Sequence, residues 1–200
     1  MDSDERETVG PAEPAFGVGE LMERAAGRAV PVVAAIADGD LERPTPCAQY
    51  TVKDLVNHLI QVLVQFQALA AKGESDFSGA PDFVGEDAAG WRDRFAREAS
   101  ALVAAWSRPG AEEGTAGAMN MPARLVGSMA LLDLTVHAWD LARATDQRYE
   151  APAEVVGPLI AAVSELGPTA RRMNVFGAEV EVAASADPFV RLLAATGRRV

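Results

Sequence analysis

The stretch Leu131-Leu132-Asp133-Leu134-Thr135-Val136-His137-Ala138-Trp139-Asp140 decides the fold. At about 100° per residue it puts apolar side chains on every side, and a helix apolar all round is expected to lie buried among others. Within it, Asp133, His137 and Asp140 fall on one stripe about 60° wide. An unpaired carboxylate is costly to bury, so something must compensate the stripe. Two readings fit. Asp133 and His137, at i and i+4, ligate a divalent metal between facing helices, or they form a hydrogen-bonded pair in a polar core pocket. Asp140 pairs with Arg143, the favoured reading, or orients His137 from behind.

Outward from this stretch the helix extends over 122–145, with Pro122 at its first position. Three more helices are predicted over 19–37, 51–72 and 88–107. Thr51 and Asp54 make a capping-box start to the second, and Val52, Leu55, Leu59, Val62, Leu63, Phe66 and Leu69 build its apolar stripe. His58 sits at the border between that stripe and a polar face formed by Asp54, Gln61 and Gln65. It reads as a helix-border histidine or as a ligand aimed at a neighbour. Together His58, Asp133 and His137 would make a two-histidine, one-carboxylate set with positions open for water or another ligand. Beyond 150, a helix over Ala153–Leu166 should stop at Gly167-Pro168. The alternation in 175–182 suggests a short extended pair, and Asp187-Pro188 opens a last short helix. The expected fold is therefore mainly all-α. A tail occupies residues 1–18, a four-helix bundle 19–147, and a small extension packed on the bundle 148–200.

Composition narrows function. The chain has 200 residues and a formal charge of −11, from 18 basic and 29 acidic side chains. Such a surface repels phosphate backbones, so no nucleic acid is expected. No membrane span is expected either, and the acidic start lacks the features of a secretory signal, which points to the cytoplasm. One cysteine and two histidines exclude most zinc-finger and haem arrangements. Cys47 reads as a small buried filler, because no base or basic cluster adjoins it in sequence. Trp91, Trp106 and Trp139 read as core anchors. No G-x-S-x-G, G-x-G-x-x-G or P-loop pattern is present.

Three segments carry a resemblance: Arg43-Pro44-Thr45-Pro46-Cys47, the run from Tyr50 through His58 to Leu59, and Asp133 through Trp139 to Thr145. In their order and spacing they resemble the mycothiol-dependent maleylpyruvate isomerase N-terminal family, within the DinB-like superfamily of metal-binding four-helix bundles. The closing Phe189–Arg198 is similar to the ending of its stand-alone branch of about 200 residues. The resemblance implies a divalent metal, zinc or nickel, held by His58, Asp133 and His137. It also implies mycothiol or another low-molecular-weight thiol as co-substrate, and a small electrophile as substrate. The family's isomerase has Glu where this chain has Asp133, and Trp where this chain has Tyr50-Thr51. It also builds its substrate site with a separate C-terminal domain, so maleylpyruvate is not implied here. The expectation is a metal-dependent thiol transferase or isomerase. The alternatives are a non-catalytic metal- or small-ligand-binding protein on the same bundle, and an interaction module whose polar stripe is a satisfied core network. A homodimer is left open.

Overall fold

In the computed structural model, the described residues are 16–118 and 120–200; residues 1–15 of the expected tail lie outside them. Four long helices form the bundle: α1 (Val18–Ala34), α2 (Val52–Ala70), α4 (Trp91–Trp106) and α5 (Ala123–Ala144). A one-turn helix, α3 (Phe83–Glu86), interrupts the α2–α4 loop. α1 packs against α4 and α5, and so does α2, which puts α1 and α2 at opposite corners. Phe16, expected to belong to the tail, instead packs on the core, and its carbonyl accepts from Arg124 Nη2 at 3.0 Å.

The starts and stops follow local chemistry. The Thr51 hydroxyl accepts from the Asp54 N–H while the Asp54 carboxylate accepts from the Thr51 N–H, so the predicted capping box begins α2 one residue after Thr51. Pro122 is the residue before α5, where its missing N–H costs no helical bond. Pro31 falls in the last turn of α1, which ends at Ala34. α5 is long and apolar enough to cross a membrane by length and composition. Yet 83% of that window is buried inside the protein, so its apolar faces are covered by other helices. All three tryptophans are core residues, and buried Trp106 satisfies its indole N–H on the Phe66 carbonyl at 3.1 Å.

The C-terminal part departs from expectation in two places. α6 (Ala153–Arg172) does not stop at Gly167-Pro168 but carries both Pro158 and Pro168 inside it. Packing prevails over propensity here. Val155, Leu159 and Val163 bury the inner face, and Arg171 Nη1 ties the last turn to the Ala195 carbonyl at 2.9 Å. The extended pair expected at 175–182 is an irregular segment. The only sheet among the described residues pairs β1 (Thr115–Ala116) with β2 (Met121–Pro122), just before α5. Segment 175–182 leans on α7 (Pro188–Ala195) and the turn after it instead: the Val180 N–H donates to the Ala194 carbonyl at 3.0 Å. Gly177 and Gly197 meet backbone to backbone, and Gly197 has φ +89. Its Cβ would fall 2.7 Å from the Gly177 Cα, so glycine is required by both conformation and space.

Gly127 sets the contact of α5 with α1 and α4. A Cβ there would lie 2.8 Å from Trp106 Cζ3 and 2.8 Å from Val18 Cγ1, so both the α4 and the α1 side chain would have to shift. Gly127→Ala should destabilise the protein by about 1–3 kcal/mol through overpacking, read by denaturant unfolding with an unchanged m-value. The propensity gain of alanine would appear instead as a more stable variant if this contact were loose.

Candidate metal centre

α2 and α5 lie side by side, and their facing turns bring the three candidate ligands together. The donor atoms of His58, Asp133 and His137 all lie within 4.8 Å of one another. His137 Nε2 is 3.7 Å from Asp133 Oδ1, and the two imidazoles meet edge to face with centroids 5.2 Å apart. His58, on the other side, stacks on Tyr50 at 5.3 Å with 19° between the planes. Tyr50 is itself fixed by the loop before α2. Its N–H donates to the Cys47 carbonyl at 2.9 Å, and its carbonyl accepts from the Thr45 hydroxyl at 2.9 Å. The Pro-rich loop thus serves as a support for one imidazole.

The trio opens onto a cavity of about 550 Å³. One wall is the 46–50 loop, the floor is the α2–α5 seam, and the far wall is built by Asn174–Gly177 and Thr196–Arg198. The extension therefore completes the site. Arg198 is the cationic side chain among the cavity's lining residues.

Behind His137 stands a buried ionic cluster. Asp140 is 0% exposed, His137 7% and Arg198 9%. Asp140 Oδ2 lies 2.9 Å from His137 Nδ1 and accepts from Arg198 Nη2 at 2.9 Å; Oδ1 accepts from Arg198 Nε at 3.4 Å. Asp140 is thus paired with Arg198 and His137, not with Arg143, which is exposed. Sequence separation hid this, since Arg198 is 58 residues away and sits in an unremarkable Thr-Gly-Arg turn. Burial works against ionisation of Asp140. The His137 hydrogen bond and the Arg198 charge outweigh it and hold the carboxyl below the usual carboxylate range. His137 Nδ1 is also 3.3 Å from Arg198 Nη2, and one nitrogen cannot serve both neighbours. The shorter contact is to the carboxylate. Protonated Nδ1 donating to Asp140 leaves the Nε2 lone pair facing Asp133 and His58, the form a metal requires.

For His58 the surroundings favour the neutral form. Burial lowers its pKa, joined by His137 and opposed by Asp133. Cys47, expected as filler, instead lines the cavity half-buried; burial pushes its thiol pKa up against the pull of the Arg198 charge. Two imidazoles, a partly exposed carboxylate and a cavity on the open side form a donor set that fits a divalent ion with an exchangeable position.

A helical bundle presenting such a set defines a class, and the comparisons agree with it. The family model described as the mycothiol maleylpyruvate isomerase N-terminal domain matches residues 22–142, and the chain belongs to that family. No curated protein and no solved structure matches it.

Two outcomes follow. Arg198→Ala leaves a buried carboxylate uncompensated and should cost about 3–5 kcal/mol in stability, read by urea unfolding; a loss under 1 kcal/mol would place the pair effectively in solvent. For metal-free protein, the unfolded chain takes a proton on His58 near pH 6.5 while the folded chain resists it. Stability should therefore be full above that pH and decline below it, toward the lowered folded value. The His58→Asn variant should show a flatter decline over the same window, and an equally steep one would contradict the assignment.

Proposed function

We propose that the protein is a metal-dependent enzyme that activates a low-molecular-weight thiol, mycothiol in the first place, for transfer to or isomerisation of a small electrophile. The observation that carries this reading is the convergence of His58, Asp133 and His137 on one cavity. His58 and His137 would hold zinc or nickel through neutral ring nitrogens, and Asp133 through its carboxylate. Bound there, the ion supplies Lewis acidity that favours the thiolate form of a thiol near neutral pH.

The chain's own residues do the rest. Asp140 and Arg198 fix the orientation and tautomer of His137. Tyr50 holds the His58 ring by stacking. Asp133, with its side chain 30% exposed, stands at the water-accessible rim of the trio. The segments 174–177 and 196–198 wall the cavity and limit the electrophile to a small molecule. Asp133 is one methylene shorter than the Glu of the isomerase it resembles, which leaves more room on the open side.

Wild-type protein purified without chelators or a polyhistidine tag should gain thermal stability from added zinc. The gain should be about 2.7 kcal/mol when free ion is a hundredfold above Kd. His137→Ala should lose both the stoichiometric ion and the gain. Affinity should fall steeply below about pH 6, as the imidazoles become protonated. Zinc-loaded protein assayed with mycothiol and a panel of electrophiles should convert at least one electrophile only when thiol is present, consuming thiol in a transfer and regenerating it in an isomerisation, and Asp133→Ala should not. Stoichiometric metal with no turnover across the panel would reduce the reading to a binding protein.

A further inference from the structure

His137 has two edges. Nε2 lies toward Asp133, whereas Nδ1 is 2.9 Å from Asp140 Oδ2 on the other side of the ring. Cys47, His137 and Asp140 each offer a ligand atom within 4.8 Å of the other two. Thiol, imidazole and carboxylate together suit zinc, cadmium and other thiophilic divalent ions. Asp140 and His137 are more than nine-tenths buried, so the protein must supply a positive charge to this spot.

The charge in place is a guanidinium. Arg198 Nη2 lies 2.9 Å from Asp140 Oδ2 and 3.3 Å from His137 Nδ1, and Nε lies 3.4 Å from Asp140 Oδ1. Arg198 reaches this position from a short turn, through its N–H to the Leu193 carbonyl at 2.9 Å and Nη1 to the Thr196 carbonyl at 3.1 Å. Gly197, with φ +89, makes the turn possible.

We infer that Cys47, His137 and Asp140 form a second cation pocket, plugged by the Arg198 guanidinium and competent for a thiophilic divalent ion once that side chain is withdrawn. With the first site empty, charge balances on exchange. A guanidinium of charge +1 leaves, an ion of charge +2 enters, and Cys47 gives up its thiol proton to solvent. Metal–sulfur, metal–nitrogen and metal–oxygen bonds form, and no electron is transferred. The His137 Nδ1 proton moves to Nε2 when the first site is empty; when it is filled that proton goes to solvent, His137 bridges the two ions as imidazolate, and the cavity carries one positive charge less. Arg198 thus restricts the cavity to one metal and keeps the cavity thiol uncoordinated. The inference shares only His137 with the proposed ligand set.

Cadmium alone is the probe, followed by equilibrium dialysis and by the ultraviolet sulfur-to-cadmium charge-transfer band. Arg198→Ala and Arg198→Gln should each bind one equivalent more than wild type and acquire the band. Cys47→Ser in the Arg198→Ala background should lose both. His58→Ala in that background should keep the band, which separates this pocket from the His58–Asp133–His137 site. If the first site fails to bind, the counts become zero for wild type and one for Arg198→Ala, and the inference still holds. Should Arg198→Ala be unfolded without metal by circular dichroism, cadmium should fold it with the band present. Unchanged stoichiometry without a band in both Arg198 variants overturns the inference, as does a variant left unfolded in excess cadmium. A band in wild type overturns the plug.

Discussion

A buried carboxylate needs a partner, and the Asp140 pairing with His137 and Arg198 is the interaction on which this protein's architecture turns. Asp140 sits on the most enclosed helix of the bundle, where an unpaired charge would be untenable. One partner, His137, lies one turn back toward the cavity. The other, Arg198, comes from beyond α7. The same carboxylate therefore docks the extension onto the bundle and sets the tautomer of the histidine that faces the cavity. Stability and site chemistry are coupled through one side chain, and neither can change without the other.

This coupling explains why a short extension can complete a site. Residues 174–177 and 196–198 supply the far wall of the cavity. They are held there by the Arg198–Asp140 pair, by the Arg171–Ala195 hydrogen bond and by the close passage of Gly177 over Gly197. Leu192 and Leu193 of α7 are buried in the core and Phe176 packs against it, so apolar burial docks the extension while the directional contacts fix where the wall sits.

Much of the fold was legible because its determinants are local. The α2 capping box, the heptad-like stripe from Val52 to Leu69 and the all-round apolar α5 each follow from spacing within one helix. So did the convergence of Asp133 and His137, which needs only the helical repeat; the meeting with His58 required α2 and α5 to be neighbours, and they are. The illegible parts depend on chain segments far apart in sequence. Asp140 was read toward Arg143 because that residue is near in sequence, whereas the actual partner arrives from position 198. Cys47 read as filler because its charged neighbour is supplied by the same distant turn. The 175–182 alternation imitates a hairpin, yet its backbone leans on α7, and the helix before it runs through Pro168 because packing outweighs one lost hydrogen bond.

The proposed function rests on one physical claim: that two imidazoles and a carboxylate hold an ion whose open position accepts a thiol. X-ray absorption on the zinc-loaded protein tests that claim most directly. The spectrum should show two imidazole nitrogens at about 2.0–2.1 Å and a carboxylate oxygen at about 2.0–2.2 Å, and it should gain a sulfur shell at about 2.3 Å only when mycothiol is added. A protein that retains no zinc, or whose zinc shows no sulfur neighbour at saturating thiol, would contradict it.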